Sequence, residues 1–299
     1  MERKELLQKL DLSCFIAFDF ETTGLDHHND RIIEVAAIKF VDGEITDRYV
    51  ELVNPEMKIP AIITEITGIS DSMVRSSPSE ELIIDDLLSF IGDHPLVAHN
   101  IHFDQNFLSE LCKRLGRDMV NNAQYDTLQL ARSVFFDQPV FNLSALSEYF
   151  GLSSKGTHRA EKDTENTGLI FLELITEVSK YPLKVISKVN SMIKGSSIPN
   201  QTLYVNLGNE LTKLGDLKSG LLEFDEPRIS RPNTYSHIGE NDIQKISSEQ
   251  VFGDDGLLSQ SHPNFESRPN QNRYAKMVDD IMSDDHTKGV IEAGTGLGK

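Results

Sequence analysis

The sequence predicts an α/β fold in which helices flank a mixed β-sheet. Three apolar segments near the start have the residue types of strands, and Asp42-Gly43 joins the second to the third as a tight hairpin. Downstream, apolar residues recur mainly at helical spacing, with one short buried strand among the helices. Strands that begin antiparallel and are followed by alternating helices and strands indicate a sandwich around a mixed sheet.

The elements can be placed along the chain from their apolar pattern and their end signals. Pro60 stands in the first turn of one helix and Gly68 ends it, while Ser77-Pro78 opens the next. The predicted strands cover residues 15–20, 31–41, 44–53 and 95–98. The predicted helices cover residues 59–68, 77–91, 101–116, 127–135, 143–150 and 160–180.

Three regions differ in the strength of this pattern. Residues 1–181 hold all of the predicted strands and helices, and Pro182 marks their end. Residues 182–260 carry Gly, Ser, Asn and Pro scattered among short apolar runs, so we predict a connecting segment to which no fold is assigned. Residues 261–299 end in a glycine-rich motif and are predicted to begin a P-loop domain that is incomplete here.

The charge of the chain limits the ligands that it can bind. The formal net charge is −18, and residues 1–180 carry 16 basic and 31 acidic side chains. Phosphate contacts depend on Lys and Arg, so a broad basic platform for nucleic acid is excluded. A polyanion must be held at a small local site, where metal ions supply positive charge that the formal count omits.

Cysteine content and hydropathy predict a cytoplasmic protein without a membrane partner. Cys14 and Cys112 are too few for a disulfide framework. No run approaches 18 apolar residues, and the charged N-terminus lacks the apolar core of a signal peptide.

Asp19 and Glu21 interrupt the first apolar strand and are the first candidate site residues. Because side chains alternate along a strand, both carboxylates project from the same face. A buried carboxylate costs several kcal/mol unless it is paired or bound to a metal. No Lys or Arg lies between Lys9 and Arg31, so the pair points to cations, although solvated acids at a strand end have the same pattern.

Two further carboxylates and a histidine complete the candidate site. Asp104 lies in the first turn of a helix that follows a strand, the edge at which open α/β sheets place ligands, although a first-turn acid also suits the helix dipole. Asp163 heads an apolar stripe that recurs at helical spacing as far as Val178, so its carboxylate is expected to point inward. His158 lies five residues earlier and is either a base or a surface loop residue.

In order, spacing and element type, these residues resemble the DnaQ-like exonuclease family, in the His-containing branch of the DEDD superfamily. The resemblance covers roughly residues 10–180 and implies an RNase H-like fold and removal of nucleotides from a 3′ end. It implies that two Mg²⁺ or Mn²⁺ ions are bound and that His158 takes a proton from the attacking water. The residues that carry it are Asp19, Glu21, Asn100, Phe103, Asp104, His158, Ala160 and Asp163.

Other residues near these motifs have competing interpretations. His99 and His102 are rival bases, although the family places no base at either position. Asn100 either binds substrate or caps the helix that follows it. Leu25 matches a family position that wedges beside the terminal base.

The end of the sequence resembles nucleotide-binding motifs. The segment GVIEAGTGLGK has the lead and the glycine spacing of a P-loop, in which Gly294, Gly296, Gly298 and Lys299 would cradle phosphate. Arg268 and Gln271 match the adenine-sensing R-x-x-Q segment of superfamily 2 helicases. Together the motifs resemble DinG-type helicase-like proteins with an exonuclease domain in front, so we expect this chain to be a front portion that stops inside the P-loop. ATP binding would then need the complete domain.

We therefore expect a metal-dependent 3′→5′ exonuclease that releases nucleoside monophosphates from DNA, with single strands preferred. One alternative is an exoribonuclease that trims RNA. A second is an ATP-dependent helicase in the full-length protein, which the front domain loads onto nucleic acid. A third, a catalytically inactive interaction module, is disfavoured because every expected ligand position and His158 are filled.

Overall fold

A computed structural model describes residues 2–135, 139–152, 159–215, 219–222, 247–261 and 269–283. The chain forms two compact units, Met1–Glu226 and Pro227–Lys299. The first unit contains the β-sheet and all of the candidate carboxylates.

A five-stranded mixed sheet forms the centre of the first unit and confirms the predicted fold class. Its order is β3-β2-β1-β4-β5. Strand β1 is antiparallel to β2 and parallel to β4, and β5 is parallel to β4. Asp42 and Gly43 have φ values of 53° and 90°, as a two-residue hairpin between β2 and β3 requires. The strands are β1 Cys14–Thr22, β2 Ile32–Val41, β3 Glu44–Leu52, β4 Leu96–Ala98 and β5 Gln124–Asp126.

Helices cover both faces of this sheet, and the six predicted helices are all present. Their predicted ends differ from the observed ones by a few residues. Helix α1 (Arg3–Lys9), helix α3 (Asp71–Val74) and strand β5 were not predicted, because each is too short to show a period. The helices up to residue 178 are α1 Arg3–Lys9, α2 Ala61–Thr67, α3 Asp71–Val74, α4 Glu80–Ile91, α5 His102–Arg114, α6 Thr127–Val134, α7 Leu143–Tyr149 and α8 Ala160–Val178.

Helix α8 lies across β1 and β2 on one face of the sheet. Its apolar stripe is buried as predicted, and it packs against Phe15 and Ala17 of β1 in one core cluster. Gly168 allows this close approach, because a Cβ there would lie 2.3 Å from the ring of Phe40. On the opposite face, Phe18 and Phe20 pack against helices α4 and α5 in a second cluster, which also holds Phe107. The packing of α8 fixes which face of β1 its first turn approaches.

Two helices beyond residue 181 belong to the same unit. They are α9 Leu183–Ile193 and α10 Gln201–Leu214. Ile186, Leu203 and Leu207 are buried in the core cluster that also holds helix α8. The predicted connecting segment 182–260 therefore contributes two helices to the first compact unit, which extends to Glu226.

Asn200 joins this helical hairpin to strand β5. Its backbone N–H donates to the Gln124 carbonyl at 2.9 Å, and its side-chain carbonyl accepts from the Asp126 N–H at 2.9 Å. A left-handed φ of 67° lets Asn200 extend the hydrogen bonding of the sheet and then start helix α10.

The second unit is helical where it is described. Ser247 and Gln250 form a capping box at the start of α11. The described helices of this unit are α11 Ser248–Phe252, α12 Leu257–Ser261 and α13 Pro269–Ser283. Within the described parts of both units, no helix combines the length and the apolarity that crossing a membrane requires.

Candidate active site

Asp19 and Glu21 lie at the C-terminal end of β1 on the face that helix α8 covers. They alternate with Phe18 and Phe20, so they share a face with Ala17, which packs in the same cluster as α8. Both carboxylates are only partly exposed. Their predicted common orientation follows from this alternation.

Asp104 reaches the same edge of the sheet from helix α5. Strand β4 runs parallel to β1, so the chain leaves β4 at the edge where β1 ends and enters α5 directly. The Asp104 side chain is 2% exposed, and its Oδ1 accepts a hydrogen bond from the Phe20 N–H at 3.0 Å. Because Phe20 lies between Asp19 and Glu21, this bond fixes the Asp104 carboxylate beside both of them.

Asp163 lies in the first turn of α8, partly exposed. Its carboxylate raises the pKa values of both Asp19 and Glu21 by repulsion, which places it within electrostatic reach of the two strand acids. His158 lies outside the described residues, so its proposed role as a base stays a sequence prediction.

Glu34 anchors the start of α8 and was missed by the sequence analysis. It lies directly opposite Glu21 on β2, with its side chain 1% exposed. Its carboxylate accepts hydrogen bonds from Arg159 Nη2 at 2.5 Å and Nε at 3.1 Å, and from the Ala160 N–H at 3.0 Å. The available signal was a single acid inside the apolar run RIIEVAAIKFV, which needs a buried partner.

The loop that follows β1 is fixed by Asp30. Thr23 Oγ1 donates to Asp30 Oδ1 at 3.0 Å, and the Asp26 N–H donates to Asp30 Oδ2 at 2.9 Å. A Cβ at Gly24 would lie 2.3 Å from that second oxygen, so a larger residue here would displace the Asp30 carboxylate from these hydrogen bonds. Leu25 follows with 85% of its surface exposed, beside the end of β1.

Burial and mutual repulsion raise the pKa values of the described carboxylates. Burial is the largest cause in each case, and it raises the pKa of Asp104 to about 8 and that of Glu21 to about 7. The pKa of Asp19 is raised well above its ordinary range by burial and then by the charges of Asp104 and Glu21. Arg159 lowers the pKa of Glu21, but burial and the neighbouring acids outweigh it, so the described part of the site has a deficit of positive charge.

This deficit fits a divalent cation. Carboxylate oxygens are the ligands that Mg²⁺ and Mn²⁺ prefer, and a bound cation removes the repulsion that raises these pKa values. Among the described residues, no three His, Cys, Asp or Glu side chains already form a closed metal-binding group. The described acids therefore lie near enough to raise one another's pKa values, although their side chains do not form a complete metal-coordination shell.

The rival histidines are less suited to the chemistry. His99 Nδ1 lies 2.9 Å from Thr127 Oγ1, and burial lowers the pKa of His99. His102 is exposed at the start of α5. Asn100 has a φ of 68° and offers no side-chain cap to the helix, whereas its backbone carbonyl accepts from the Phe103 N–H at 3.0 Å.

The predicted nucleotide-binding residues belong to the second unit, and most of them lie outside the described residues. Arg268, Gly294, Gly296, Gly298 and Lys299 lie outside the described residues. Gln271 lies in the first turn of α13, in the second unit.

Comparison with known proteins decides the family. Residues 16–171 match the exonuclease family (RNase_T). This chain belongs to that family. Exonucleases of this family depend on divalent metal ions, as the carboxylate cluster suggests.

Similar curated proteins are much longer than this chain. The PolC-type DNA polymerase III of Caldanaerobacter subterraneus is 37% identical over 179 residues, which cover 60% of this chain and 13% of that protein. The 3′-5′ exonuclease DinG of Bacillus subtilis is 30% identical over 292 residues, which cover 95% of this chain and 31% of that protein. The chain thus spans less than a third of either relative.

Solved exonuclease structures share the fold. E. coli exonuclease I in complex with a dA16 oligonucleotide has a TM-score of 0.50 at 20% identity, covering 55% of this chain and 41% of that one. A second exonuclease I structure has a TM-score of 0.51 at 18% identity, covering 61% of this chain and 46% of that one. These matches confirm the RNase H-like fold expected from the sequence.

We expect Glu34→Ala to destabilise the exonuclease unit by about 2 kcal/mol, because the Ala160 N–H and Arg159 lose a buried acceptor. Urea unfolding in EDTA measures this. The matched control is Glu161→Ala. Glu161 lies in the first turn of α8 and forms a surface ion pair with Arg48, so its removal is expected to lower the free energy of unfolding by less than about 0.5 kcal/mol. Equal stability of the two variants would contradict the anchoring role of Glu34.

We also expect the metal-free exonuclease to lose stability as pH rises from about 5 to about 8. Carboxylates with raised pKa values bind protons in the folded state that the unfolded chain has released, so the folded state is favoured at acid pH and disfavoured above these pKa values. Thermal unfolding in EDTA should therefore show a falling Tm, and Mn²⁺ should reverse the fall.

Asp19→Asn should flatten this decline, because it removes one of the repelling charges. The control is Asp85→Asn. The pKa of Asp85 is lowered, chiefly by a hydrogen bond from Arg117, so this acid stays ionised over the whole pH range. The control should leave the slope unchanged. A Tm in EDTA that does not depend on pH would show that the carboxylates are not coupled in this way.

Proposed function

We propose that this chain is a 3′→5′ exonuclease that hydrolyses DNA from its 3′ end and releases nucleoside monophosphates. The convergence of Asp19, Glu21 and Asp104 at one edge of the sheet carries the proposal. It is supported by membership of the exonuclease family and by similarity to proteins named for DNA polymerisation and 3′-5′ exonuclease activity.

In this proposal Asp19, Glu21, Asp104 and Asp163 hold two Mg²⁺ or Mn²⁺ ions. When bound, such ions stabilise the attacking and leaving oxygens of an in-line displacement at phosphorus. The acids of this chain orient the ions, and the Phe20 N–H holds the Asp104 carboxylate in position. Glu34 holds the helix that carries Asp163, so the helix acid and the strand acids keep a constant separation.

His158 acts as the general base in this proposal. It takes a proton from the attacking water, for which a pKa near 6.5 is well suited at neutral pH. Arg159, the next residue, is tied to Glu34. This tie fixes the residue that follows the histidine in the chain.

DNA is the proposed substrate, and RNA is the alternative. Exonuclease I, which shares the fold, was solved with a DNA oligonucleotide, and the PolC-type relative is named as a DNA polymerase. ATP binding at Gly294–Lys299 remains a prediction for a complete P-loop domain.

The first test is digestion of a 5′-labelled single-stranded DNA oligomer with Mg²⁺, Mn²⁺ or EDTA. We expect a ladder that shortens from the 3′ end, is lost in EDTA, and is at least about 100-fold slower in Asp19→Asn, because metal stabilisation of the transition state is worth several kcal/mol. The control Asp93→Asn removes an exposed acid that precedes β4, at the opposite edge of the sheet, and should cut normally. An uncut oligomer from folded protein would refute the DNA assignment, and an RNA oligomer of equal length would then test the alternative.

A second test concerns His158. We expect activity to rise between about pH 6 and pH 7.5 in the unmodified chain, because a base must be deprotonated to accept the proton. His158→Ala should be about 100-fold slower or worse and should lose this rise. His102→Ala, which removes a rival histidine, should keep the profile. Full activity of His158→Ala with an unchanged pH profile would exclude His158 as the base.

A further inference from the structure

Helix α9 and the turn that follows it form a basic segment in a strongly acidic chain. No Asp or Glu lies between Glu177 and Glu210, whereas Lys180, Lys184, Lys188 and Lys194 do. The net charge of the whole chain is −18, so this local excess of positive charge is not a consequence of composition.

Three of these lysines face solvent. Lys184, Lys188 and Lys194 are exposed, and none of them takes part in any ion pair between described residues. Lys184, Lys188 and Met192 are spaced four residues apart, so they share one face of α9. Met192 is 76% exposed on this face, and Ile198 is 44% exposed in the turn beyond it. Other lysines of the unit are paired with acids, as in Lys4–Asp42 and Lys113–Glu110.

The C-terminal end of α9 lies at the same edge of the sheet as the candidate active site. Asn200 is hydrogen-bonded to both ends of β5, and the Gln201 side chain donates to the Ile193 carbonyl at 3.3 Å. Strand β5 is separated from β1 by β4 alone, which places their C-terminal ends roughly 10 Å apart.

A second contact ties this edge to helix α5. The Asp126 carboxylate at the end of β5 accepts from the Asn100 N–H at 3.2 Å, four residues before Asp104. The lysine row thus starts with Lys194 at the edge of the sheet that bears the candidate active site, and runs back along α9 for about 15 Å to Lys184.

We propose that Lys184, Lys188 and Lys194 form a tract that holds the phosphate backbone of the single strand upstream of its 3′ end. The proposal rests on the exonuclease function proposed above and states how the protein binds the DNA strand outside the carboxylate site. Lysines in a row complement a polyanion, and the exposed Met192 and Ile198 offer apolar surface to unstacked bases. Flexible ammonium groups bind phosphate charge and do not distinguish bases, so this binding is independent of the DNA sequence.

The tract contacts only substrates long enough to reach it. The terminal nucleotide occupies the carboxylate site, and the lysines lie roughly 10 Å or more beyond it. Removing them therefore raises the KM for a long oligomer, leaves kcat unchanged, and does not affect a mononucleotide ester such as p-nitrophenyl thymidine 5′-phosphate.

The test compares Lys184→Gln/Lys188→Gln/Lys194→Gln with a control of equal charge change, Lys4→Gln/Lys113→Gln/Lys213→Gln, whose lysines are exposed and paired with acids. Glutamine keeps helix propensity close to that of lysine. Binding of a labelled oligothymidylate of about 20 nucleotides is measured by fluorescence anisotropy in EDTA between about 50 and 200 mM salt. Cleavage of the same oligomer and of the ester is measured in Mn²⁺.

The tract variant should lower the slope of log K against log salt by about 2, since each single-strand phosphate contact contributes about 0.7. Unmodified protein should accordingly lose about 20-fold more affinity over this salt range than the variant does. The control triple should bind as the unmodified protein does, and ester cleavage should be equal in all three proteins.

Two results would overturn the proposal. One is an unchanged salt slope and KM in the tract variant, which would leave an acidic protein surface as the partner of this face. The other is an equal loss in the control triple, which would show an effect of net charge alone. Failure of the unmodified protein to cleave either substrate would refute the exonuclease function instead, and the anisotropy measurement would still decide the tract.

Discussion

Repulsion among buried carboxylates at the end of β1 is the constraint on which the rest of the first unit depends. Asp19 and Glu21 share a strand face, and Asp104 is fixed beside them by the Phe20 N–H. Bringing these charges together without cations lowers the free energy of unfolding, as their raised pKa values show. The surrounding packing must therefore be strong enough to hold an arrangement that is locally unfavourable, and cations then convert it into a site.

Helix α8 supplies much of that packing. Its buried stripe covers β1 and β2, and Gly168 lets it lie directly on Phe40. Glu34 fixes the N-terminus of the helix through Arg159 and the Ala160 N–H. The helix is thus held by apolar contacts along its length and by a charge-assisted anchor at the end that bears Asp163. Glu34 and Gly168 therefore determine the position of Asp163, although neither is proposed to contact substrate.

Long periodic segments could be predicted from the sequence, whereas short ones could not. The alternation around Asp19 and the stripe of α8 each repeat often enough to fix a face, and the family pattern located Asp104. Strand β5 has three residues and shows no period, and helices α9 and α10 are separated by a turn whose Gly195 and Pro199 break the helical pattern. Glu34 was missed because its partner, Arg159, is distant in sequence. Asn200 was missed for a related reason, since its role depends on strand β5, which was itself not predicted.

The bonds from Asn200 to β5 also bear on where a domain can be cut. The family match ends at residue 171, but β5 is an edge strand whose outer backbone groups are covered by the turn before α10. A fragment that stops near residue 181 would leave that edge unpaired and would remove Leu203 and Leu207 from the core cluster that they share with Leu130 and Phe171. An open edge beside exposed apolar surface is a template for pairing with another copy of the chain. Solubility of the catalytic fragment is therefore expected to depend on helices that carry none of the candidate carboxylates.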